Sequence, residues 1–272
     1  MQQETGAAGT AGRGAVPPAA AGAPFEGIGV ALVTLFDADG GLDAPGTAAH
    51  AARLVDEGVR AVVVAGSTGE AATLDDDERS ALLAAVRDAV GGSVPVIAGT
   101  GAPSTRQACA LSRRAAGGGA DALLVLSPPG APDPRPYYDA VAESVDVPVL
   151  AYHFPTMSTP GIPVDVLSEL PVAGLKDSTG DPARLALEID ELRVVYTGSS
   201  SVLLQAAAMG CTGAILALAN VDPAGCALAW QGDGRCQREL VSGHRPGAGS
   251  GIAGLKRSMN ALHGTSPVTR IG

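Results

Sequence analysis

The chain has little lysine, few aromatic residues and no long apolar run. Only two of its 272 residues are lysine, against sixteen arginines, and aromatic residues make up 3% of the sequence. No run approaches the ~18 apolar residues that span a bilayer, which argues against a membrane protein. A net charge of −10 argues against nucleic acid or an anionic membrane as the main partner. We therefore expect a globular protein that binds neither.

The four cysteines, Cys109, Cys211, Cys226 and Cys236, show no pairing pattern. None lies in the C-x-x-C spacing that is typical of zinc knuckles and redox centres, so no metal site is expected. Residues 1–24 lack the basic start and apolar stretch of a secretory signal. They are rich in Ala, Gly and Pro and cannot bury enough surface to offset their ordering entropy, so they are predicted to be a disordered tail. A reduced, cytoplasmic protein is the simplest interpretation.

From Gly27 onward, short apolar runs alternate with longer amphipathic ones. Eight strands that alternate with helices over about 200 residues predict a (β/α)8 TIM barrel of the α/β class. A doubly wound open sheet is the alternative, but no G-x-G-x-x-G follows the first strand. The strand-like runs are Gly29–Leu35, Arg60–Ala65, Val94–Gly99, Ala122–Leu126, Pro148–Tyr152, Val172–Lys176, Val194–Thr197 and Gly213–Leu218. The helix candidates are Pro45–Glu57, Asp76–Val90, Thr105–Ala116, Pro163–Leu170, Pro182–Leu192 and Ser200–Met209.

The barrel is expected to occupy residues 25–221, followed by a shortened C-terminal helical region at 222–272. One or two helices are predicted there, with a Gly/Pro-rich link at Pro246–Gly251. In such a barrel the residues that do chemistry lie at the carboxyl ends of the strands. Polar residues follow those ends here, among them Ser67, Tyr152, Lys176 and Ser199. This agreement supports the barrel and places the expected active site.

Lys176 ends an apolar run in a chain that otherwise uses arginine for positive charge. A desolvated lysine can lose its proton and attack a carbonyl carbon to form an imine, whereas a guanidinium stays protonated. The alternative is a strand-end lysine that reaches solvent. The scarcity of lysine favours the nucleophile.

Two other strand ends supply what an imine mechanism needs. Tyr152 offers a phenol that could move protons, and the turn Gly66-Ser67-Thr68-Gly69 offers backbone N–H groups and two hydroxyls to hold a carboxylate. A carboxylate next to a carbonyl defines a 2-oxo acid. Taken singly, Tyr152 is more typical of a half-buried tyrosine at a strand end. The sequence Gly66-Ser67-Thr68-Gly69, taken singly, is more typical of a simple turn. Glu70 is expected to be a first-turn helix charge.

These motifs resemble a known family. Gly-Ser-Thr-Gly-Glu at 66–70, Tyr-x-x-Pro at 152–155, Gly-Leu-Lys-Asp-Ser-Thr-Gly at 174–180 and the opening Ala-Leu-Val-Thr-Leu-Phe at 31–36 are similar to the dihydrodipicolinate synthase/N-acetylneuraminate lyase family. The resemblance implies a (β/α)8 barrel, usually a homotetramer, that acts as a class I aldolase, lyase or dehydratase on pyruvate or a related 2-oxo acid. It implies that Lys176 forms the Schiff base, that Tyr152 shuttles protons, and that Ser67 and Thr68 hold the carboxylate and join the proton relay, which makes Lys176, Tyr152 and Ser67 the expected catalytic set. The expected substrate-binding set is Ser67, Thr68, Gly66, Gly198 and Ser199.

The chain also departs from that family. Pro128-Pro129-Gly130 stands where the synthases carry Pro-Tyr-Tyr, one tyrosine of which completes a proton relay across a subunit interface. Tyr137 and Tyr138 lie downstream, but nothing in the sequence shows that they reach the site. Met157 replaces the arginine that binds the second substrate's carboxylate, a loss typically worth ~2 kcal/mol. His153 is more typical of the neuraminate lyases. Gly198-Ser199-Ser200, however, lacks the acidic residues with which those enzymes bind a sugar tail.

The sequence thus predicts a Schiff-base lyase acting on pyruvate or a related 2-oxo acid and an aldehyde, without metal or organic cofactor, as a possible homodimer or homotetramer. Three alternatives stay open: dihydrodipicolinate synthase activity itself, a non-catalytic 2-oxo-acid-binding paralogue, and a barrel that binds phosphate at Gly198-Ser199-Ser200.

Overall fold

The structure, a computed structural model that describes residues 22–243, 247 and 251–271, confirms the predicted barrel. Eight parallel strands pair with their neighbours in chain order, and the last pairs with the first, so that the sheet closes. All but the last three residues of the predicted disordered tail, and most of the predicted link at Pro246–Gly251, lie outside the described residues. The strands are β1 Gly27–Ala31, β2 Ala61–Val64, β3 Val96–Gly99, β4 Ala122–Leu126, β5 Val149–His153, β6 Gly174–Asp177, β7 Val195–Thr197 and β8 Gly213–Leu216.

The first strand is shorter than its apolar run, because side chains take over its hydrogen bonds. The amide of Val33 donates to Asn220 Oδ1 at 3.1 Å, and that of Leu35 donates to Thr47 Oγ1 at 2.9 Å. The apolar pattern therefore continues past Ala31, while the strand ladder does not. Periodicity reports burial and cannot distinguish these two sources of hydrogen bonds.

Helices cover the outside of the barrel, and several begin at a residue whose side chain caps the first turn. Asp75 forms a capping box with Glu78, and Ser104 and Asp181 accept hydrogen bonds from first-turn amides. The α-helices are α1 Ala44–Asp56, α2 Asp76–Val90, α3 Thr105–Gly117, α4 Arg135–Glu143, α5 Pro182–Glu191, α6 Leu203–Met209, α7 Pro223–Trp230, α8 Gly234–Val241 and α9 Gly251–His263.

Three helix predictions need correction. Helix α4 was not among the candidates, because Pro134 before it, Pro136 in its first turn and its short length hide the periodicity. The candidate Pro163–Leu170 is a 3-10 helix over Val164–Glu169. After Asn220 the described residues contain three helices, α7 to α9, rather than one or two.

Alternate residues of each strand face opposite sides, so the core has two layers. Leu150, Tyr152 and Tyr196 face the barrel interior, whereas Leu175 packs toward the surrounding helices. The Tyr196 ring stacks on Phe25, with 4.5 Å between centroids, and its hydroxyl donates to the Phe25 carbonyl at 2.7 Å. No helix in the described part of the chain has the length and apolarity to cross a membrane.

Candidate active site

Lys176 and Tyr152 meet inside the barrel, as predicted. They are paired in the register between β5 and β6, and each is only 5% exposed. The Lys176 Nζ lies 4.3 Å from the centroid of the Tyr152 ring. An amine and a phenol thus share one small volume at the carboxyl end of two adjacent strands, where an imine and a proton carrier would need to be.

Ser178 joins this pair, although the sequence analysis did not select it. Its hydroxyl donates to the Tyr152 hydroxyl at 3.3 Å. The signal was present in the sequence, since Ser178 is two residues after Lys176 and strand periodicity sends both side chains to one face. Asp177, between them, points outward and is fully buried there.

Gly198, the residue after β7, leaves room for this group. A Cβ at this position would lie 2.9 Å from Lys176 Cε and would also collide with Ser178 Oγ. Ser199, predicted to bind substrate, instead faces its own turn: its hydroxyl accepts from the Ser201 amide at 3.3 Å and contacts the Ser201 hydroxyl at 2.7 Å. Gly198 therefore lies against the candidate nucleophile, whereas the Ser199 hydroxyl is bonded within its own turn.

The turn at Gly66–Glu70 lies beside the same site. The amides of Gly69 and Glu70 donate to the carbonyls of Gly66 and Ser67 at 3.0 and 3.1 Å. Among the described residues, the amides of Ser67 and Thr68 have no such partner, so they remain available to an anion. Glu70 has a φ of +55°, in the left-handed region, and such strain clusters at functional sites.

A cavity of about 600 Å³ opens beside Tyr152. Gly66, Ser67 and Tyr152 line it, whereas Thr68 does not, and Lys176 lies over the Tyr152 ring rather than on the cavity wall. The remaining lining comes from the segments that follow β2, β3, β4 and β5 and from Ile271, and it is mainly apolar except for Glu70, Asp76 and Arg79 and a few polar side chains. The structure thus brings together Lys176, Tyr152, Ser67 and the backbone of Gly66 and Gly198.

Glu70 is not the exposed first-turn charge that was expected. It is fully buried, and its Oε1 accepts from Lys256 Nζ at 2.5 Å. Its Oε2 accepts from the backbone amides of Arg270 and Ile271 at 2.8 and 3.0 Å. The prediction that Glu70 is a first-turn helix charge was wrong because its partners are distant in sequence, and no local sequence pattern indicates them.

A second buried charge cluster lies on the outer side of β5 and β6. Arg184 Nε donates to Asp177 Oδ2 at 3.2 Å, and Glu188 Oε1 lies 2.7 Å from the same nitrogen. Neither oxygen of Glu188 has a hydrogen bond to a described residue, so the arginine is aligned with Asp177. Burial, reinforced by the Asp177 charge, raises the pKa of Glu188 to about 8. Burial and Arg184 lower the pKa of His153 to about 4.

The residues at the position of the family's relay tyrosine do not supply a substitute phenol. Pro129 lines the cavity. Tyr137 donates to the Ala102 carbonyl at 3.1 Å, and Tyr138 donates to the Val125 carbonyl at 2.9 Å. Burial raises the pKa of Tyr137 to about 12. Both tyrosines are structural, which leaves Ser178 as the hydroxyl partner of Tyr152 that the structure shows.

Comparison with known proteins agrees with this geometry. The model of the dihydrodipicolinate synthetase family matches residues 24–229. The chain belongs to this family. It is 41% identical over 210 residues to an uncharacterized DapA-like lyase of Halobacterium salinarum, which covers 73% of this chain and 69% of that protein. It is 38% identical over 231 residues to the 4-hydroxy-tetrahydrodipicolinate synthase of Pseudomonas aeruginosa, which covers 79% of each.

A solved structure shows the same architecture. YagE, a prophage protein of the dihydrodipicolinic acid synthase family from E. coli K12 in complex with pyruvate, superposes with a TM-score of 0.83. It is 28% identical and covers 91% of this chain and 92% of that chain. The resemblance read from the sequence motifs is thus confirmed at the level of family and fold. Like other members of the dihydrodipicolinate synthetase family, the chain is a lyase of the class that works through a lysine Schiff base.

Proposed function

We propose that this lyase uses Lys176 to bind pyruvate as an imine and joins it to, or releases it from, an aldehyde. The observation that carries the proposal is the pairing of Lys176 with Tyr152 at 4.3 Å inside the barrel. The relationship to YagE, which is described in complex with pyruvate, supports pyruvate as the 2-oxo acid.

The imine chemistry balances without a cofactor. Neutral Lys176 attacks the C2 carbonyl of pyruvate, and water leaves as the C=N bond forms. Loss of a C3 proton gives an enamine, whose carbon attacks the aldehyde carbon while the aldehyde oxygen gains a proton. Water then hydrolyses the imine and releases a 4-hydroxy-2-oxo acid. The reverse sequence cleaves that acid.

Tyr152 is the group proposed to carry these protons. Its ring centroid lies 4.3 Å from Lys176 Nζ, and its hydroxyl accepts a hydrogen bond from Ser178 at 3.3 Å. A positioned proton carrier typically contributes 10²–10⁴-fold to the rate. Tyr152 also lines the cavity, so the proton that it carries can exchange with solvent between turnovers.

Ser67 and Thr68 are proposed to hold the pyruvate carboxylate through their amides and hydroxyls. Backbone N–H groups that converge at a tight turn form an anion-binding concavity. Gly66 would keep the turn close to the substrate. Gly198 would contribute space beside Lys176, and Ser199 would have to rotate away from Ser201 to contribute its hydroxyl.

The second substrate is proposed not to be the acid-terminated aldehyde of dihydrodipicolinate synthesis. Met157 is 53% exposed at the position where the synthases of the family carry the carboxylate-binding arginine. Dihydrodipicolinate synthase activity is kept as the second candidate because of the 38% identity to the Pseudomonas aeruginosa enzyme. Turnover of aspartate semialdehyde would establish it.

The setting of the reaction is also a proposal. All four cysteines are free thiols, which supports a reducing compartment such as the cytoplasm. A homodimer or homotetramer is proposed by analogy with the family. Sedimentation of the purified protein at several concentrations would test it.

Exchange of the C3 protons of pyruvate in D2O tests the catalytic proposal. Enamine formation predicts loss of the methyl proton signal with the wild type and no loss with Lys176→Arg, which keeps the charge but cannot form the imine. A folded wild type that binds pyruvate without exchange would instead establish the non-catalytic alternative.

A further inference from the structure

The cavity beside Tyr152 has an apolar outer part. Leu126 and Pro129 line its wall, and Met157 and Ile271 lie at its exposed side. Met157 is 53% exposed and Ile271 is 58% exposed, so two large apolar side chains face an open space next to the site. Burying these surfaces against a ligand would be favourable.

Three charged residues line the cavity: Arg79 and Glu70 already have partners, and Asp76 is an exposed carboxylate that lies 4.0 Å from Arg114 Nη1. Arg79 donates from Nε to the Leu74 carbonyl and from Nη1 to the Gly99 carbonyl, at 3.4 and 3.2 Å, and from Nη2 to the Ala71 carbonyl at 2.5 Å. Glu70 is paired with Lys256. A carboxylate or phosphate on an incoming aldehyde would therefore have to compete for a cation already bonded to backbone.

One buried hydroxyl in the cavity has no partner. Ser127, the residue after β4, is 1% exposed, and its Oγ has no hydrogen bond to any described residue. Its amide donates to the Tyr152 carbonyl at 3.1 Å, which fixes it beside the candidate proton carrier. An unsatisfied buried hydroxyl is costly and rare, so a ligand atom that a rotation of the Ser127 side chain brings within reach is a natural partner for it.

The C-terminal segment holds Ile271 at the cavity. The Ile271 amide donates to Glu70 Oε2 at 3.0 Å, and the preceding Arg270 side chain donates to the Gly40 carbonyl at 2.7 Å and to Glu78 Oε1 at 2.5 Å. These bonds tie residues more than 190 positions apart in sequence. These hydrogen bonds thus hold Ile271 at the cavity.

We propose that this cavity is the acceptor site for an aldehyde with a hydrocarbon tail, an inference that rests on the proposed function. The Ser127 hydroxyl donates to the aldehyde oxygen, and Met157 and Ile271 cover the tail. The new C–C bond joins C3 of the pyruvate enamine to the aldehyde carbon, and the aldehyde oxygen takes the proton supplied through Tyr152.

Aldol rates with acetaldehyde, butanal, hexanal and succinic semialdehyde test the substrate class. Each methylene that becomes buried should raise kcat/KM about fourfold until the cavity is filled. Butanal should exceed succinic semialdehyde, which has the same number of carbons but ends in a carboxylate. Borohydride trapping of pyruvate on each preparation measures the first half-reaction separately.

Three variants test the residues. Ser127→Ala should lower kcat/KM about tenfold or more for every aldehyde while leaving pyruvate trapping and the melting temperature intact, because the hydroxyl makes no bond in the free protein. Ile271→Asp should remove the preference for longer tails, whereas Leu262→Asp, a similarly exposed leucine on α9 that does not line the cavity, should keep it. Met157→Arg should reverse the order of butanal and succinic semialdehyde.

Different outcomes overturn the apolar acceptor site and the proposed lyase function. Pyruvate trapping with a flat chain-length series, or a wild type that prefers succinic semialdehyde, overturns the apolar acceptor site alone. A Ser127→Ala variant that melts lower without losing aldehyde turnover shows a structural serine and overturns its role. Failure to trap pyruvate overturns the proposed function, and the acceptor site with it.

Discussion

The hydroxyl of Ser178 lies 3.3 Å from the hydroxyl of Tyr152, on the same face of β6 as the candidate nucleophile Lys176. The family resemblance implied a second tyrosine as the partner of Tyr152, and this chain has Pro129-Gly130 at that place. The structure shows a hydrogen-bonding partner for Tyr152 within one chain.

Replacing Ser178 tests whether that contact serves proton transfer. Ser178→Ala should lower kcat by about 10–100-fold, because the Tyr152 hydroxyl loses the bond that orients it. Pyruvate should still be trapped by borohydride, since Lys176 is untouched. Ser178→Thr should restore most of the rate and the shape of its pH profile. Ser144→Ala, which removes a hydroxyl bonded to the Val141 carbonyl, is the matched control. Equal rates for Ser178→Ala and the wild type would rule out the relay.

A methyl group at Gly198 should block the site. The added Cβ would lie 2.9 Å from Lys176 Cε, so the amine must shift or the strand end must move. Gly198→Ala should therefore reduce both pyruvate trapping and turnover by at least tenfold, since small misplacements of reacting groups are costly. Gly92→Ala, at a glycine with no atom within 4 Å of the added group, controls for the substitution itself. Full activity in Gly198→Ala would contradict the observed packing.

Breaking the Lys256–Glu70 pair should be severe. Both side chains are fully buried and lie 2.5 Å apart, so Lys256→Met leaves an uncompensated carboxylate in the core. The expected loss is about 3–5 kcal/mol in the free energy of unfolding, measured by urea denaturation. The exposed Arg235–Glu239 pair is the comparison, and Arg235→Met should cost less than about 1 kcal/mol. Similar losses in the free energy of unfolding for the two variants would show that the buried pair stabilises the protein no more than the Arg235–Glu239 pair does.

Glu188 should make the protein less stable at alkaline pH. Its pKa is about 8 in the folded state, against 4.5 for an unperturbed glutamate, so the folded protein binds its proton more tightly than the unfolded chain does. The stability that this proton contributes is fully present below pH 4.5. It is lost as the pH rises toward 8, by ~1.4 kcal/mol for each pH unit in that interval.

The isosteric Glu188→Gln variant isolates this effect. Its unfolding free energy should exceed that of the wild type by a few kcal/mol at pH 9 and approach it near pH 5. His153, whose pKa of about 4 makes stability fall as the pH drops below about 6.5, acts in both proteins and cancels in the difference. A difference that does not change with pH would show that Glu188 is charged in the fold at neutral pH.

Much of the barrel and part of the site could be predicted from the sequence. Alternating apolar runs predicted eight strands. Lys176 and Tyr152 were expected near each other because the carboxyl ends of neighbouring parallel strands lie side by side in a barrel. The scarcity of lysine is a less specific signal. It also marks Lys256, which is buried in an ion pair with Glu70.

What could not be predicted depends on contacts between distant parts of the chain. The partners of Glu70 lie about 190 to 200 residues away, and the position of Ile271 at the cavity follows from them. The lack of a hydrogen-bond partner for Ser127 Oγ among the described residues also depends on tertiary packing, because the sequence shows only a serine after a strand. Helix α4 was missed for a different reason, because the prolines at its start obscure a short amphipathic pattern.

Reduction of the protein with borohydride in the presence of pyruvate, followed by intact mass and peptide mapping, tests the central claim most directly. We expect one pyruvate-derived adduct per chain, located on Lys176 and absent from Lys176→Ala. An adduct on Lys256, or none on a folded wild type, would contradict this claim.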